Sequence, residues 1–184
     1  MASIAVPDPP LTDGRVALRE WTDADVPWLA SESRDPLVPR FTTVPEGNTE
    51  AQVRSFLLAQ EPLRERGTEV HLLGVELATG APIGPVGLHH VDAAEATAEV
   101  GYWTARAMRG RGLTTAGVRL ICAWAFGSLG LERIELRTDV DNHASQRVAE
   151  SCGFTREGVL RGAVRRPGGR RSIVVFGLLA GELT

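Results

Sequence analysis

The run from Thr114 to Leu129 constrains the fold most, because it is apolar on nearly every helical face. A helix of this kind is buried rather than laid on a surface with one apolar stripe. We therefore predict a helix here that packs against a sheet. The residues that carry the pattern are Val118, Leu120, Ile121, Ala123, Trp124, Phe126 and Leu129.

Segments that alternate apolar and polar residues predict the strands of that sheet. In "RIELRTDV" (Arg133–Val140), Ile134 and Leu136 face one way, whereas Glu135 and Arg137 face the other. The same pattern, with a turn at "RPGG" between the last two, predicts strands at Arg15–Trp21, Glu69–Leu77, Ile83–Val91, Ala96–Thr104, Arg156–Ala163 and Arg171–Leu179.

Capping residues predict three further helices. Thr22 with Asp25 and Thr49 with Gln52 have the spacing of a capping box, so each pair predicts the start of a helix. The second of these helices would run to Gly67, with Pro62 bending or shortening it. Asn142 is in the capping position of a third, short helix. The resulting order of strands and helices indicates one mixed α/β domain. We place it at residues 13–184, after a flexible lead-in at 1–12 that lacks a signal-peptide pattern.

Composition excludes several classes of protein. Hydrophobic residues make up 43% of the chain, and the net charge of −3 argues against a general nucleic-acid binder. No run reaches the roughly 18 apolar residues of a membrane span, so we expect no membrane association. Cys122 and Cys152 form no CxxC pair and no metal spacing with the histidines, so we expect core residues, no metal and a cytoplasmic protein.

The stretch "MRGRGLTTAG" (Met108–Gly117) has the chemistry of an anion site. A helix start offers unpaired N–H groups and the positive end of the helix dipole, and glycines let a ligand approach the backbone. These properties predict a diphosphate cradle. A solvated turn remains the alternative, whereas the GxxxxGK[ST] phosphate loop and the GxGxxG dinucleotide fingerprint are both absent.

Three segments in order resemble the GNAT superfamily of acyl-CoA-dependent N-acyltransferases, within it the RimJ/RimL-like branch: "AEVGYWT", "RGRGLTTAG" and "DVDNHASQRVAESCGF". The resemblance implies an α/β (α+β) domain with a central mixed, mostly antiparallel sheet flanked by helices. It also implies transfer of acetyl from acetyl-CoA, a co-substrate, to a primary amine by direct attack in a ternary complex. The amine would belong to a protein N-terminus or a small molecule, and homodimers are common in the family.

The resemblance also assigns roles to residues. The strand end would pair its main chain with the pantetheine amides, one N–H polarising the thioester carbonyl. Asn142 would bind the pantetheine arm and Ser145 would lie near the thiolate. The cofactor-binding positions are Tyr102, Trp103, Thr104, Arg109, Gly110, Arg111, Gly112, Leu113, Thr114, Thr115 and Asn142.

The chain departs from the family pattern at three positions, one of which is Ser172 in the last strands, where the branch commonly carries an aspartate. Thr114 stands where the loop usually ends in Gly or Ala, and Ala149 stands where many relatives carry a tyrosine acid, which leaves Ser145 as the candidate. Glu99 is the first candidate for the base that deprotonates the amine, although it could equally be a structural strand residue. His89 and His90 are weaker candidates, and alternation predicts that at most one faces the cleft.

The acceptor and the function class stay open on sequence alone. The helices at residues 23–67 would form one wall of the acceptor pocket, where Glu32, Asp35, Glu46 and Glu50 could attract a cationic amine or simply be solvated. A non-catalytic acyl-CoA sensor or scaffold is the second hypothesis. A third, an RNA-binding module, would use Arg165, Arg166, Arg170 and Arg171 but lacks interleaved aromatic residues.

Overall fold

The computed structural model describes residues 3–166 and 168–184, which form one eight-stranded sheet with helices on both faces. The strand order is β1-β2-β3-β4-β5-β6-β8-β7, and only β5 and β6 run parallel. This confirms the predicted mixed, mostly antiparallel sheet. The strands are β1 Leu11–Thr12, β2 Val16–Arg19, β3 Val70–Glu76, β4 Pro82–Asp92, β5 Thr97–Tyr102, β6 Arg133–Asp139, β7 Thr155–Arg166 and β8 Gly169–Leu179.

The apolar run forms the longest helix, as predicted, and it packs on the sheet through a small residue. A Cβ at Gly117 would contact Val86 Cγ2 at 3.4 Å and Leu18 Cδ2 at 3.5 Å, so glycine lets the helix approach β4 and β2 closely. The helices are α1 Val26–Glu32, α2 Leu37–Phe41, α3 Glu50–Leu58, α4 Gln60–Glu65, α5 Leu113–Ser128 and α6 His143–Ser151, with single 3₁₀ turns at Asp23–Asp25 and Arg106–Met108.

The two faces of the sheet carry different residues because side chains alternate along each strand. Val86 and Leu88 of β4 join the main core beneath α5. Their neighbours Gly87 and His89 therefore face the other way, where α1 and α3 cover a second apolar cluster that contains Leu73 and Val75 of β3. Helix α5 therefore lies on one face of the sheet, and α1 and α3 lie on the other.

Two elements differ from the sequence-based expectation. The helix expected from Thr49 to Gly67 is divided at Ala59 into α3 and α4, with Pro62 in the first turn of α4, where its missing N–H costs no hydrogen bond. The five-residue α2 was not predicted at all. It is too short to show helical periodicity, and it contains a proline.

The segment expected to be a flexible lead-in is docked on the domain over residues 3–12. Ile4 is buried in the main core and its N–H donates to the Arg64 carbonyl at 2.9 Å, and β1 pairs with β2. Ile4 and Leu11 supply the apolar side chains that hold it there. Met1 and Ala2 lie outside the described residues. None of the described helices combines the length and apolarity that a bilayer span requires.

Candidate active site

The loop before α5 presents a row of free backbone amides. Gly110 and Gly112 adopt left-handed conformations with φ of 72° and 74°, and a Cβ built at either glycine meets no atom within 4 Å. No backbone N–H from Arg109 to Thr115 donates to an acceptor among the described residues. The start of α5 therefore has free main-chain donors and open space in front of them, which is the geometry of an anion site.

The two arginine side chains of this loop are held by buried carboxylates. Arg109 Nη2 lies 2.8 Å from Asp35 Oδ2, and its Nε donates to the Thr104 carbonyl at 3.0 Å. Arg111 forms an ion pair with Glu76, whose side chain is 9% exposed. These contacts fix the loop and leave its backbone, rather than its guanidinium groups, to meet an anion.

Thr114, the residue that departs from the family pattern, makes a specific contact. Its hydroxyl lies 2.6 Å from the hydroxyl of Thr104, so a hydrogen bond ties the end of β5 to the first turn of α5. The threonine therefore replaces a small residue without closing the loop, and it adds a link between the two segments that form the site.

Strands β5 and β6 separate after the pair formed by Glu99 and Glu135. Their parallel pairing ends there, although both strands continue. The Trp103 N–H donates to the Pro85 carbonyl of β4 at 3.4 Å, so by alternation the main-chain groups of Val100 and Tyr102 point into the gap between β5 and β6. The gap is therefore lined by unpaired main-chain groups of β5. The Trp103 N–H is not one of them, because it is bonded to β4.

The start of α6 brings Tyr102, Asn142 and Ser145 together. Asn142 Oδ1 accepts the Ser145 N–H at 3.2 Å, which confirms the predicted cap. The Tyr102 hydroxyl lies 2.9 Å from Ser145 Oγ, and burial raises its pKa, so the phenol stays neutral. Ala149, at the usual tyrosine position, is fully buried and offers no polar group.

Glu99 lies on the opposite face of the sheet beside the histidines. Burial raises the pKa of its carboxyl, while the charge of Arg137 opposes that shift. His90 Nδ1 is 3.6 Å from Glu99 Oε2, and His89 lies directly across from Glu99 in the β4–β5 register. A carboxyl of raised pKa next to the strand gap has the properties of a general base.

The prediction that at most one of His89 and His90 faces the cleft is wrong, because both line it. The β4–β5 register shifts between His89 and Asp92, and His90 has a φ of 49°, so strict alternation fails there.

Glu69, His71 and His89 form a polar cluster that sequence spacing did not single out. Their potential ligand atoms lie within 4.8 Å of one another. His71 Nε2 is hydrogen-bonded to Glu69 Oε2 at 2.9 Å, and the same oxygen is 3.6 Å from His89 Nδ1. Burial, with the charge of His71, lowers the pKa of His89 to about 4, so this ring is neutral near pH 7 and a weak base.

One cleft of about 890 Å³ connects these features. It includes both candidate catalytic residues, Glu99 and Ser145, and most of the candidate cofactor-binding residues. Arg111 and Leu113 do not line it, and Leu113 packs in the core. The predicted residues that line the cleft are Glu99, Tyr102, Trp103, Thr104, Arg109, Gly110, Gly112, Thr114, Thr115, Asn142 and Ser145.

The carboxylates suggested for a cationic acceptor do not line the cleft. Asp35 pairs with Arg109, Glu50 pairs with Arg54 at 3.2 Å, and Glu32 accepts the Arg106 N–H at 3.3 Å. Sequence reasoning instead missed Arg137 and Arg166, which do line it. The alternation of β6 already placed Arg137 on the face of Glu135, but no local signal brings Arg166 to the cleft.

Cys122 and Cys152 are the buried core residues that were predicted. Burial raises the pKa of Cys152 to about 11, so its thiol is not ionised near neutral pH. Burial likewise raises the pKa of Cys122. Neither thiol has the properties of a nucleophile.

Free main-chain amides at a helix start lie next to an open strand edge, on a mixed α/β fold, and this pair of features matches the diphosphate and the amide-bearing arm of coenzyme A. The family described as an acetyltransferase (GNAT) domain matches residues 15–155, and the chain belongs to this family.

Relatives extend the comparison. YdaF of Bacillus subtilis (strain 168), provisionally named as a ribosomal N-acetyltransferase, is 35% identical over 60% of this chain and 62% of its own length. YjcK of the same organism, named as a probable N-acetyltransferase, is 34% identical over 74% of this chain and 77% of its own. Among solved structures, RimL, a ribosomal L7/L12 alpha-N-protein acetyltransferase in complex with coenzyme A, superposes with a TM-score of 0.84 at 19% identity, over 92% of this chain and 96% of that one.

Proposed function

We propose that this GNAT acetyltransferase transfers acetyl from acetyl-CoA directly to a primary amine, with Glu99 as base and Ser145 beside the leaving sulfur. One observation carries the proposal: free loop amides, an open strand edge, a base and a hydroxyl all lie in one cleft. Direct transfer needs a donor site and an acceptor site that open onto each other, and a continuous cleft provides both.

The donor occupies the loop and the gap. The diphosphate accepts hydrogen bonds from the amides at residues 109–115, where the dipole of the 16-residue helix α5 also favours negative charge. The pantetheine arm adds to the free edge of β5 as an extra strand would, at the main-chain groups of Val100 and Tyr102. Asn142 contacts this arm while it caps α6. A main-chain N–H of β5 that faces the gap polarises the thioester carbonyl.

The chemistry follows from the two polar groups at either side of the gap. Glu99 takes a proton from the attacking nitrogen, either directly or through water, because an alkylammonium with a pKa near 10 is mostly protonated at neutral pH. The neutral nitrogen forms its bond to the acetyl carbon, the carbon–sulfur bond breaks, and the second proton of the nitrogen passes to water as the neutral amide forms. The departing thiolate accepts a hydrogen bond from the Ser145 hydroxyl, which Tyr102 holds in place.

The acceptor is a primary amine of a protein N-terminus or a small molecule. The wall of the acceptor side is α2 with the loop after it, since Leu37, Val38 and Phe41 line the cleft. We further propose a cytoplasmic location, in agreement with two free cysteines, and leave a homodimer as a prediction from the family resemblance.

A sensor or scaffold without turnover is the competing function, and one experiment separates the two. Acetyl-CoA binding is measured by calorimetry, and coenzyme A release is then followed with a panel of amines and of peptides that have free N-termini. Binding together with amine-dependent release establishes the transferase. Binding without release from any acceptor favours the sensor, and no binding refutes the proposed donor site.

A further inference from the structure

The cleft carries positive charge that the described part of the chain does not neutralise. Arg137, Arg147 and Arg166 line it, and none of their guanidinium groups forms an ion pair or hydrogen bond with another described residue. Glu99 is the single carboxylate among the described lining residues. Uncompensated charge of one sign in a cleft attracts ligands of the opposite sign. Arg147 lies on α6 with Asn142 and Ser145, on the donor side, which leaves two arginines for the acceptor.

Arg137 lies beside the candidate base. Glu135 of β6 is in register with Glu99 of β5, so alternation puts Arg137, two residues further along, on the same face of the sheet as Glu99. This is the face opposite to α5. The charge of Arg137 also lowers the pKa of Glu99, against the effect of burial. A group that binds Arg137 therefore lies close to the attacking amine.

Arg166 belongs to a hairpin whose arginines are concentrated without matching acids. Arg165 lies directly opposite Arg170 in the β7–β8 register, and like charges in that position are destabilising. Arg171 has a carboxylate partner, Asp141 at 3.3 Å, but Arg161, Arg165 and Arg166 have none among the described residues. The chain as a whole has a net charge of −3, so this positive charge is local to the hairpin.

We propose that the acceptor is the free N-terminus of a polypeptide that carries acidic side chains directly after its amino group. This rests on the proposed function and specifies its acceptor. Arg137 binds the first acidic side chain beside the attacking amine, and Arg166, which lies further along the sheet toward the hairpin turn, binds a later one. The segment from Arg161 to Arg166 extends roughly 16 Å at about 3.3 Å per residue, so the charge continues beyond the cleft and fits an extended chain better than a compact molecule.

A polycationic acceptor is disfavoured by the same residues. Its additional ammonium groups would lie near Arg137 and Arg166. The acids that could have attracted it, Asp35 and Glu50, do not line the cleft and are engaged by Arg109 and Arg54. The charge of the cleft thus selects against a polyamine.

The test compares peptides of equal length and identical first residue that continue with three glutamates, three glutamines or three lysines. Acetyl-CoA is saturating, and kcat/KM is measured for each. We expect the glutamate peptide to exceed the lysine peptide by about tenfold or more, which corresponds to ~1.4 kcal/mol, with the ratio shrinking as salt screens the charges. In Arg166→Gln the ratio of kcat/KM for the glutamate peptide to that for the glutamine peptide should fall toward one. The fall should come from a higher KM for the glutamate peptide. In Arg166→Glu the order of glutamate and lysine peptides reverses.

Arg156→Gln is the matched control, because Arg156 lies on the same strand at the end remote from the hairpin turn and should leave the ratio unchanged. All peptides use the same donor, so a changed ratio cannot come from acetyl-CoA binding. If no peptide turns over, calorimetric affinity of the same peptides for the coenzyme A-loaded protein gives the same comparison. Turnover with equal rates for all three peptides would overturn the inference and leave the transferase intact.

Two further probes test whether the arginines bind a different anionic ligand, either a small anionic amine or a nucleic acid. The first compares kcat/KM for phosphoethanolamine with kcat/KM for propylamine. If their ratio equals the ratio of the glutamate peptide to the glutamine peptide, the hairpin beyond the cleft is not used and the polypeptide acceptor is wrong. A single-stranded RNA that binds more tightly than the glutamate peptide at 0.15 M salt, and competes with it, would assign the arginines to nucleic acid instead and overturn the proposal.

Discussion

The hydroxyls of Tyr102 and Ser145 lie 2.9 Å apart although the residues are 43 positions apart in the sequence. The contact joins the end of β5 to the first turn of α6, and both residues line the cleft. The Tyr102 hydroxyl is also 3.3 Å from the Ser145 carbonyl, so it can donate there while it accepts from Ser145, or donate to Ser145 Oγ. In the second arrangement the Ser145 hydroxyl is free to donate into the cleft, where the proposed mechanism places the leaving sulfur.

Ser145→Ala should lower kcat by about 100-fold with little change in acetyl-CoA affinity, because the lost hydrogen bond forms mainly with the developing thiolate. Tyr102→Phe should have a smaller effect, about fivefold, as expected for the loss of one orienting hydrogen bond. Steady-state kinetics with acetyl-CoA titrations measure both. Equal kcat in Ser145→Ala and the wild type would remove Ser145 from the mechanism.

Glu99→Gln should lower kcat by on the order of a hundredfold at neutral pH, since glutamine cannot accept the amine proton. In the wild type kcat should fall on the acid side at a pH above the usual glutamate range, because burial raises the pKa of Glu99 and the base must be ionised. Glu135→Gln is the informative control. The charge of Glu135 raises the pKa of Glu99, so its removal should move the acid limb to lower pH. An acid limb that persists unchanged in Glu99→Gln would assign it to another group.

The local parts of this fold could be predicted from the sequence because their signals lie within a few residues of one another. The Thr49–Gln52 capping box is present as expected, and Asn142 caps α6. The alternation at Ile134 and Leu136 correctly gave the buried face of β6. In each case the side chain that carries the signal acts on its own backbone or on its own face.

The parts that could not be predicted depend on contacts between distant segments. The bulge that turns both His89 and His90 to the cleft is a property of the β4–β5 pairing, not of either strand. Ile4 is buried because the folded core presents an apolar surface to it. Arg166 reaches the cleft because the β7–β8 hairpin continues past the end of β6. No periodicity within a window of residues encodes any of these positions.

Gly112→Trp should weaken acetyl-CoA binding by about 100-fold or more. The indole would fill the space now open at the loop, and loss of even one or two charge-assisted hydrogen bonds to the diphosphate, at ~1.5–3 kcal/mol each, has that size. Gly130→Trp, at the other end of α5, is the control. Its φ of 68° and its open surroundings match those of Gly112, so both variants bear the same backbone strain. Calorimetry that finds equal acetyl-CoA affinity in the two folded variants would refute the cradle.

Asp25→Asn should lower the free energy of unfolding at pH 7 by about 1–3 kcal/mol. Asp25 is buried and receives two hydrogen bonds from Arg19, at 2.7 and 2.8 Å, and one from the Thr22 N–H at 2.8 Å. Although burial opposes ionisation, these bonds hold the pKa of the carboxyl below its usual value. Its contribution is therefore complete above the unfolded-state pKa of about 4 and is lost as the pH falls through the lower folded-state pKa.

The measurement is denaturant unfolding of the wild type and of Asp25→Asn at pH 7 and near pH 3, where the difference between them should shrink. Asp23→Asn is the matched control, because Asp23 is an exposed carboxylate in the same turn that accepts no side-chain hydrogen bond among the described residues. It should change the free energy of unfolding by less than about 0.5 kcal/mol at either pH. A difference between wild type and Asp25→Asn that stays constant from pH 7 to pH 3 would mean that the Asp25 charge, and hence its ion pair with Arg19, does not stabilise the fold.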